Sequence, residues 1–172
     1  SILDLSEKGA QPMSSRDGTL VVSFNGEIYN YQSFYPELKS KGISLKSGSD
    51  TEVLLKLYEL YGMEVLHRLH GMFAFAIWDT VEKKLTLCRD RMGVKPLYYC
   101  VHKNTLYFAS EQKALFAAGV PIQISENGME EYFFNRFVAG EGTLFAEVKK
   151  LLPGHYMVID EEGKSKTTRW WN

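Results

Sequence analysis

Two cysteines, Cys88 and Cys100, stand in 172 residues, too few for the disulfide framework of a small secreted domain. Both lie in apolar, strand-like runs. They read as buried free thiols of a cytosolic protein, with a cross-strand pairing as the alternative. Charge of one sign is also lacking: 20 Lys+Arg stand against 21 Asp+Glu, for a formal net charge of −1. That balance excludes a general electrostatic pull toward nucleic acid or anionic membrane. No apolar run approaches the roughly 18 residues that a bilayer-spanning helix needs. The opening Ser1-Ile2-Leu3-Asp4-Leu5 has neither a basic region nor an apolar signal segment, so a cytoplasmic location is expected. Metal-ligand clusters are missing too. His67 and His70 are one helical turn apart, but no third ligand has suitable spacing; a solvated helix face accounts for them, and no metal is expected. No repeat, low-complexity segment or linker divides the chain, and one domain over residues 1–172 is expected.

What is present is material for a core: 45% hydrophobic and 13% aromatic residues, the composition of a globular protein. Residues 6–18 read as loop and Leu20 to Phe24 as a short apolar strand. Helices are expected over Tyr29 to Lys41, with Tyr31, Phe34, Tyr35 and Leu38 on one face, and over Asp50 to Tyr61, with Val53, Leu54, Leu57 and Leu60 on one face and Gly62 as the stop. Met72-Phe73-Ala74-Phe75-Ala76-Ile77-Trp78 is apolar on both faces. This strand should be covered on both sides, its alanine face letting another layer come close. Strands follow at Leu85 to Cys88, at Pro96 to Val101 and at Thr105 to Ala109, the last two joined at Lys103-Asn104. Glu111 to Ala118 and Glu126 to Phe137 read as helices, the second with Met129, Tyr132, Phe133 and Phe137 as its inner stripe. A final hairpin turns at Glu161-Glu162-Gly163. Helices that flank strands without alternating regularly with them point to α+β architecture with antiparallel strands.

Two short motifs carry chemistry. Phe24-Asn25-Gly26-Glu27-Ile28-Tyr29-Asn30 sets an amide side chain beside a glycine N–H just after the first strand. Two such donors converging on one point can meet the negative charge that develops on an amide oxygen under attack. The alternative is a tight hairpin turn, which Asn-Gly favours because both residues tolerate positive φ. Gly48-Ser49-Asp50-Thr51-Glu52 puts a carboxylate at a helix start, where it could hold a substrate ammonium group. Equally, Ser49 and Glu52 make a capping box, and Asp50 is favoured there by the helix dipole.

The order and spacing of these motifs resemble the glutamine-hydrolysing domain of asparagine synthetase-type class II amidotransferases. Further segments strengthen the likeness: Leu69 to Asp79, Arg89-Asp90-Arg91-Met92-Gly93-Val94-Lys95-Pro96-Leu97-Tyr98-Tyr99, Ala109-Ser110-Glu111-Gln112-Lys113-Ala114-Leu115, Leu152-Pro153-Gly154-His155 and Arg169-Trp170-Trp171. Together they cover nearly the whole chain. The resemblance implies the N-terminal-nucleophile hydrolase fold, a four-layer αββα sandwich of antiparallel sheets, here without its opening strands. Family members begin Cys-Gly-Ile, and Ser1 to Asp4 matches a later point of the pattern, so the chain is expected to start just inside it.

Carried over residue by residue, the resemblance implies that Asn25 and Gly26 form the oxyanion hole. Glu27 would lie against the bound glutamine, Asp50 would pair with its α-ammonium, and the backbone of Ile2 and Leu3 would edge the pocket. The nucleophile would be a thiolate activated by its own free α-amine. That cysteine and the carboxylate-gripping arginine are not in this sequence, so the chain alone is expected to be inactive. ATP and magnesium are implied only for a synthetase domain, whose Ser-Gly-Gly-x-Asp-Ser loop is absent here; no cofactor is expected in this domain. Expected partners are glutamine, the C-terminal synthetase domain and, as an open point, a second copy in a homodimer. Competing readings are a binding or regulatory module with the same fold and no nucleophile, and an amidotransferase serving another acceptor.

Overall fold

The computed structural model describes Asp4 and residues 6–172. Among these residues nine strands run β1 Met13–Ser14, β2 Leu20–Ile28, β3 Gly71–Asp79, β4 Lys84–Arg89, β5 Tyr98–His102, β6 Thr105–Ala109, β7 Lys149–Lys150, β8 His155–Asp160 and β9 Ser165–Arg169. Four helices, α1 Tyr35–Ser40, α2 Asp50–Tyr61, α3 Gln112–Ala117 and α4 Glu126–Asn135, are joined by short 3-10 turns at Glu7–Gly9, Tyr31–Phe34 and Gly62–Arg68. The strands form a six-stranded sheet in the order β1-β2-β3-β4-β8-β9 and a three-stranded sheet in the order β6-β5-β7. Every ladder is antiparallel.

The alternation of side chains across β2 and β3 builds the layers. Val22, Phe24, Ile28, Phe73, Phe75 and Ile77 face one way and join Val53, Leu54 and Leu57 of α2 in the largest core cluster. Ala74 and Ala76 face the other way and pack with Leu87, Leu97, Leu151 and Met157 between the sheets. Beyond the small sheet, Cys100 and Val148 meet Leu115 of α3. Helix, sheet, sheet and helix therefore stack as the expected four layers. The expectation that the alanine face admits a close second layer holds for the physical reason given: side chains of one carbon let the sheets approach.

Four expectations are corrected. Asn25-Gly26 is not a turn, because β2 runs on to Ile28 and pairs with β3 through nine registered positions from Leu20↔Asp79 to Ile28↔Gly71. A glycine is needed at 26 for another reason. Its φ is +149°, and a Cβ there would sit 2.1 Å from the Met72 carbonyl oxygen. The helix expected over Tyr29 to Lys41 is a 3-10 turn followed by the six-residue α1, with Pro36 in its first turn, where a missing N–H costs least.

The capping box is replaced by a different arrangement. Ser49 accepts from the Thr51 N–H at 3.2 Å, while the Glu52 carboxylate takes the N–H groups of Lys46 and Ser47 and the Ser47 hydroxyl. The supposed inner stripe of α4 faces out: Phe133 and Phe137 are 66% and 61% exposed. This helix is held by its polar side, through Gly128 against the Thr143 carbonyl and the Glu131 carboxylate on the Ala139 N–H, and no described layer covers its aromatic side.

Candidate active site

The β2–β3 ladder decides which way each N–H of β2 points. Tyr29 N–H donates to the His70 carbonyl and Thr80 N–H to the Thr19 carbonyl, both at 2.8 Å. With the unbroken register, these pairs direct odd-numbered residues of β2 toward β3 and even-numbered ones toward the opposite edge. Along that edge, the Phe24 N–H donates to Gln11 Oε1 at 2.6 Å and the Ile28 N–H to Asp50 Oδ2 at 2.9 Å. Between them lies the N–H of Gly26, which no described residue accepts. Among the described residues the strand thus holds one free donor, at a fixed point between two occupied ones.

The neighbouring donor is the Asn25 side chain. Asn25 lies opposite Ala74, so its amide projects into the space between the sheets, over a residue too small to displace it. Asn25 Nδ2 donates to Ser110 Oγ at 3.0 Å. A cavity of about 170 Å³ adjoins the amide, lined by Ser23, Ala74, Ala76, Leu97, Phe108 and Ser110. Clefts of about 450 and 550 Å³ lie elsewhere, along Met13 to Arg16 and beside α1. They include none of Asn25, Gly26, Glu27 or Asp50, so the chemistry, not the size of the hollow, marks the site.

Asp50 opens α2 and is 3% exposed. Burial pushes its carboxyl above the ordinary carboxylate range, with the nearby Glu27 carboxylate adding to the rise, while the N–H groups of Ile28 and Thr51 oppose it. A carboxylate held dry beside another carboxylate is poised to gain from a cation. Glu27 is half-buried, opposite Met72 in the ladder. Asn25, Gly26, Glu27 and Asp50 are therefore gathered at one end of β2, whereas Ile2 and Leu3 lie outside the described residues.

The thiols are placed for no such chemistry. Cys88 is in β4 and Cys100 in β5, both buried and free. Burial raises both pKa values, that of Cys88 strongly, helped there by the Asp90 carboxylate. An unionised buried thiol is a poor nucleophile. The two side chains belong to different core clusters, so the cross-strand pairing does not form. His67 and His70 are exposed, and His67 meets Trp170 edge-on.

Two contacts that support the candidate site escaped the sequence reading. Asp90 is 1% exposed, and its carboxylate accepts from the N–H groups of Phe73, Met92, Val94 and Lys95. It fixes the loop after β4 to the residue paired with Gly26. Ser110, between β6 and α3, reaches Asn25 across 85 positions of sequence. Both occur in segments that resemble the family, yet nothing local to either announces its partner.

A model of the glutamine amidotransferase domain family matches residues 1–171. Glutamine-hydrolysing asparagine synthetase 1 of Bacillus subtilis is 44% identical over 163 residues, which are 95% of this chain and 26% of that protein. A putative asparagine synthetase of Methanocaldococcus jannaschii is 36% identical, covering 93% of this chain and 34% of its own length. Amidase chry2 of Gibberella zeae is 33% identical over all of this chain and 25% of its own. The chain thus spans about a quarter to a third of the length of these relatives. Among solved structures, the glutamine phosphoribosylpyrophosphate amidotransferase of Bacillus subtilis superposes with a TM-score of 0.71 at 23% identity, over 96% of this chain and 32% of that one. That likeness concerns the fold, which is of the N-terminal-nucleophile hydrolase type. The chain belongs to the glutamine amidotransferase domain family.

Proposed function

We propose that these residues form one amidotransferase domain of a longer cytoplasmic protein and release ammonia from the side-chain amide of glutamine. The observation that carries this reading is the Gly26 N–H, which no described residue accepts, beside the Asn25 amide, two donors fixed at one end of β2. When a nucleophile adds to the glutamine amide carbon, charge gathers on the carbonyl oxygen, and these donors meet it there. Asp50 receives the substrate α-ammonium, which relieves the cost of its buried charge. Glu27 lies along the bound glutamine, and Ile2 and Leu3 edge the pocket. The attacking thiolate belongs to an N-terminal cysteine of the longer protein, since Cys88 and Cys100 are buried and protonated. The 172 residues alone therefore hydrolyse no glutamine.

In this reading the ammonia passes to a C-terminal synthetase domain, which uses ATP and magnesium to amidate aspartate. The similarity to glutamine-hydrolysing asparagine synthetases supports that assignment. A second acceptor reading is favoured by one finding: two fungal relatives named amidases are 33% and 31% identical over the whole chain. Assay of the longer protein with glutamine, ATP and aspartate separates them, since asparagine forms only in the first case.

The test of the site is Asn25→Ala in the longer protein. Turnover of glutamine should fall about a hundredfold, the value of one oxyanion donor, with little change in KM. Unchanged turnover would return Asn25 to a structural role.

A further inference from the structure

We propose that Ser110 is a positioning residue for glutamine hydrolysis, holding the Asn25 amide in the orientation that presents its second N–H to the developing oxyanion. The inference rests on the reading of Asn25 as an oxyanion donor and adds the group that fixes it.

Asn25 itself is exposed, and the final torsion of an asparagine side chain is broad and roughly two-fold. Left to itself, such an amide turns its carbonyl oxygen toward the pocket in part of the population, and an acceptor there repels the charge that the site has to stabilise. One contact restrains that freedom. Asn25 Nδ2 donates to Ser110 Oγ at 3.0 Å, which uses one of the two N–H bonds on that nitrogen and fixes the amide plane. The other N–H is free among the described residues. No other described residue contacts the amide by hydrogen bond.

Ser110 is well placed to act as this fixed point. It follows β6 directly, where Ala109 pairs with Tyr98 in the ladder, and it precedes Glu111, the N-cap of α3. Its backbone is thereby anchored on both sides. Because β6 lies in the small sheet and Asn25 in the large one, the hydrogen bond crosses the inter-sheet space next to the cavity lined by Ala74, Ala76 and Leu97. The spacing of the sheets thus sets the position of the amide. The Ser110 oxygen gives the Asn25 amide an anchor that neither the ladder of β2 nor the small residues beneath it supply.

The experiment is a double-mutant cycle on glutamine hydrolysis by the longer protein, with glutamate release as the readout. Ser110→Ala should lower kcat about tenfold, part of what one oxyanion donor is worth, and leave KM within about twofold, because the amide acts mainly on the transition state. Ser110→Thr keeps the hydroxyl and should recover most of the rate. In an Asn25→Ala background, Ser110→Ala should add nothing, since there is no amide left to position. Thermal melting of each variant separates loss of fold from loss of positioning, and Ser110→Thr serves as the folded reference if Ser110→Ala melts early. The proposal is overturned if Ser110→Ala keeps full kcat, or if it costs the same factor with and without Asn25. Should Asn25→Ala keep full kcat, the oxyanion reading itself fails. A large effect of Asn25→Ala with none of Ser110→Ala removes only the positioning role.

Discussion

Helices α2 and α4 begin alike and end in opposite circumstances. Ser49 caps the first through the Thr51 N–H at 3.2 Å, and Ser125 caps the second through the Gly128 N–H at 3.1 Å. Yet α2 buries seven of its residues, three of them polar, whereas α4 buries only Gly128. A cap fixes where a helix starts; it says nothing about whether a layer awaits it. Two of these polar side chains are put to use, Asp50 holding the Ile28 N–H and Glu52 the loop at Lys46 and Ser47, while the buried Thr51 hydroxyl meets no partner among the described residues. This helix is a jig for the end of β2. By contrast α4 offers Phe134, 88% exposed, to no described neighbour.

The sharpest way to break this contrast is to cut apolar mass from each helix. Leu54 is fully buried against β2 and β3, so Leu54→Ala should cost about 3–5 kcal/mol in urea unfolding. Phe134→Ala in α4 should change stability by less than about 0.5 kcal/mol. Equal costs would mean that α4 is as much part of the core as α2.

A smaller effect tests the strand that α2 supports. Gly26→Ala brings a Cβ to 2.1 Å from the Met72 carbonyl oxygen, and that neighbour is backbone. A cost of about 2–3 kcal/mol is expected, together with loss of glutamine turnover in the longer protein. Denaturant midpoints within error of the parent would show that β2 and β3 separate easily there.

The smallest expected stability change is at Asp50, and its sign is informative. Burial raises the folded pKa above the ordinary value of 3.8, so the stability held by the protonated form is fully present below that value and is lost as pH rises through the folded pKa. Asp50→Asn carries no such charge. It should melt at or above the parent temperature at neutral pH, with its advantage shrinking as the pH is lowered toward 3.8. Glutamine KM should nevertheless rise about tenfold, through loss of a charge-assisted contact. A lowered melting temperature with normal KM would assign Asp50 to the helix alone.

The sequence made α2 legible because its cap, apolar period and terminal Gly62 agree. The Lys103-Asn104 turn was equally plain, and both residues do adopt positive φ, 48° and 60°. Asn25-Gly26 has as strong a local turn signal and is a strand. What overrode it is the continuing partner from Gly71 to Ala74, a non-local fact. The stripe of α4 misled for a related reason, since periodicity marks an apolar face without saying whether anything packs on it. Within the proposed site, Asn25, Gly26, Glu27 and Asp50 are the residues that the sequence singles out. Ser110 is not among them, because its role exists only once two sheets are stacked.

The Gly26 N–H, the one free donor on this edge among the described residues, has one more consequence. An exposed strand edge invites another chain to add to it, and doing so takes a run of alternating donors and acceptors. Here the side chains of Gln11 and Asp50 occupy the donors on either side. An incoming strand would find one open position where it needs three in register. The open position suits a single acceptor atom and offers an added strand no run of donors to pair with.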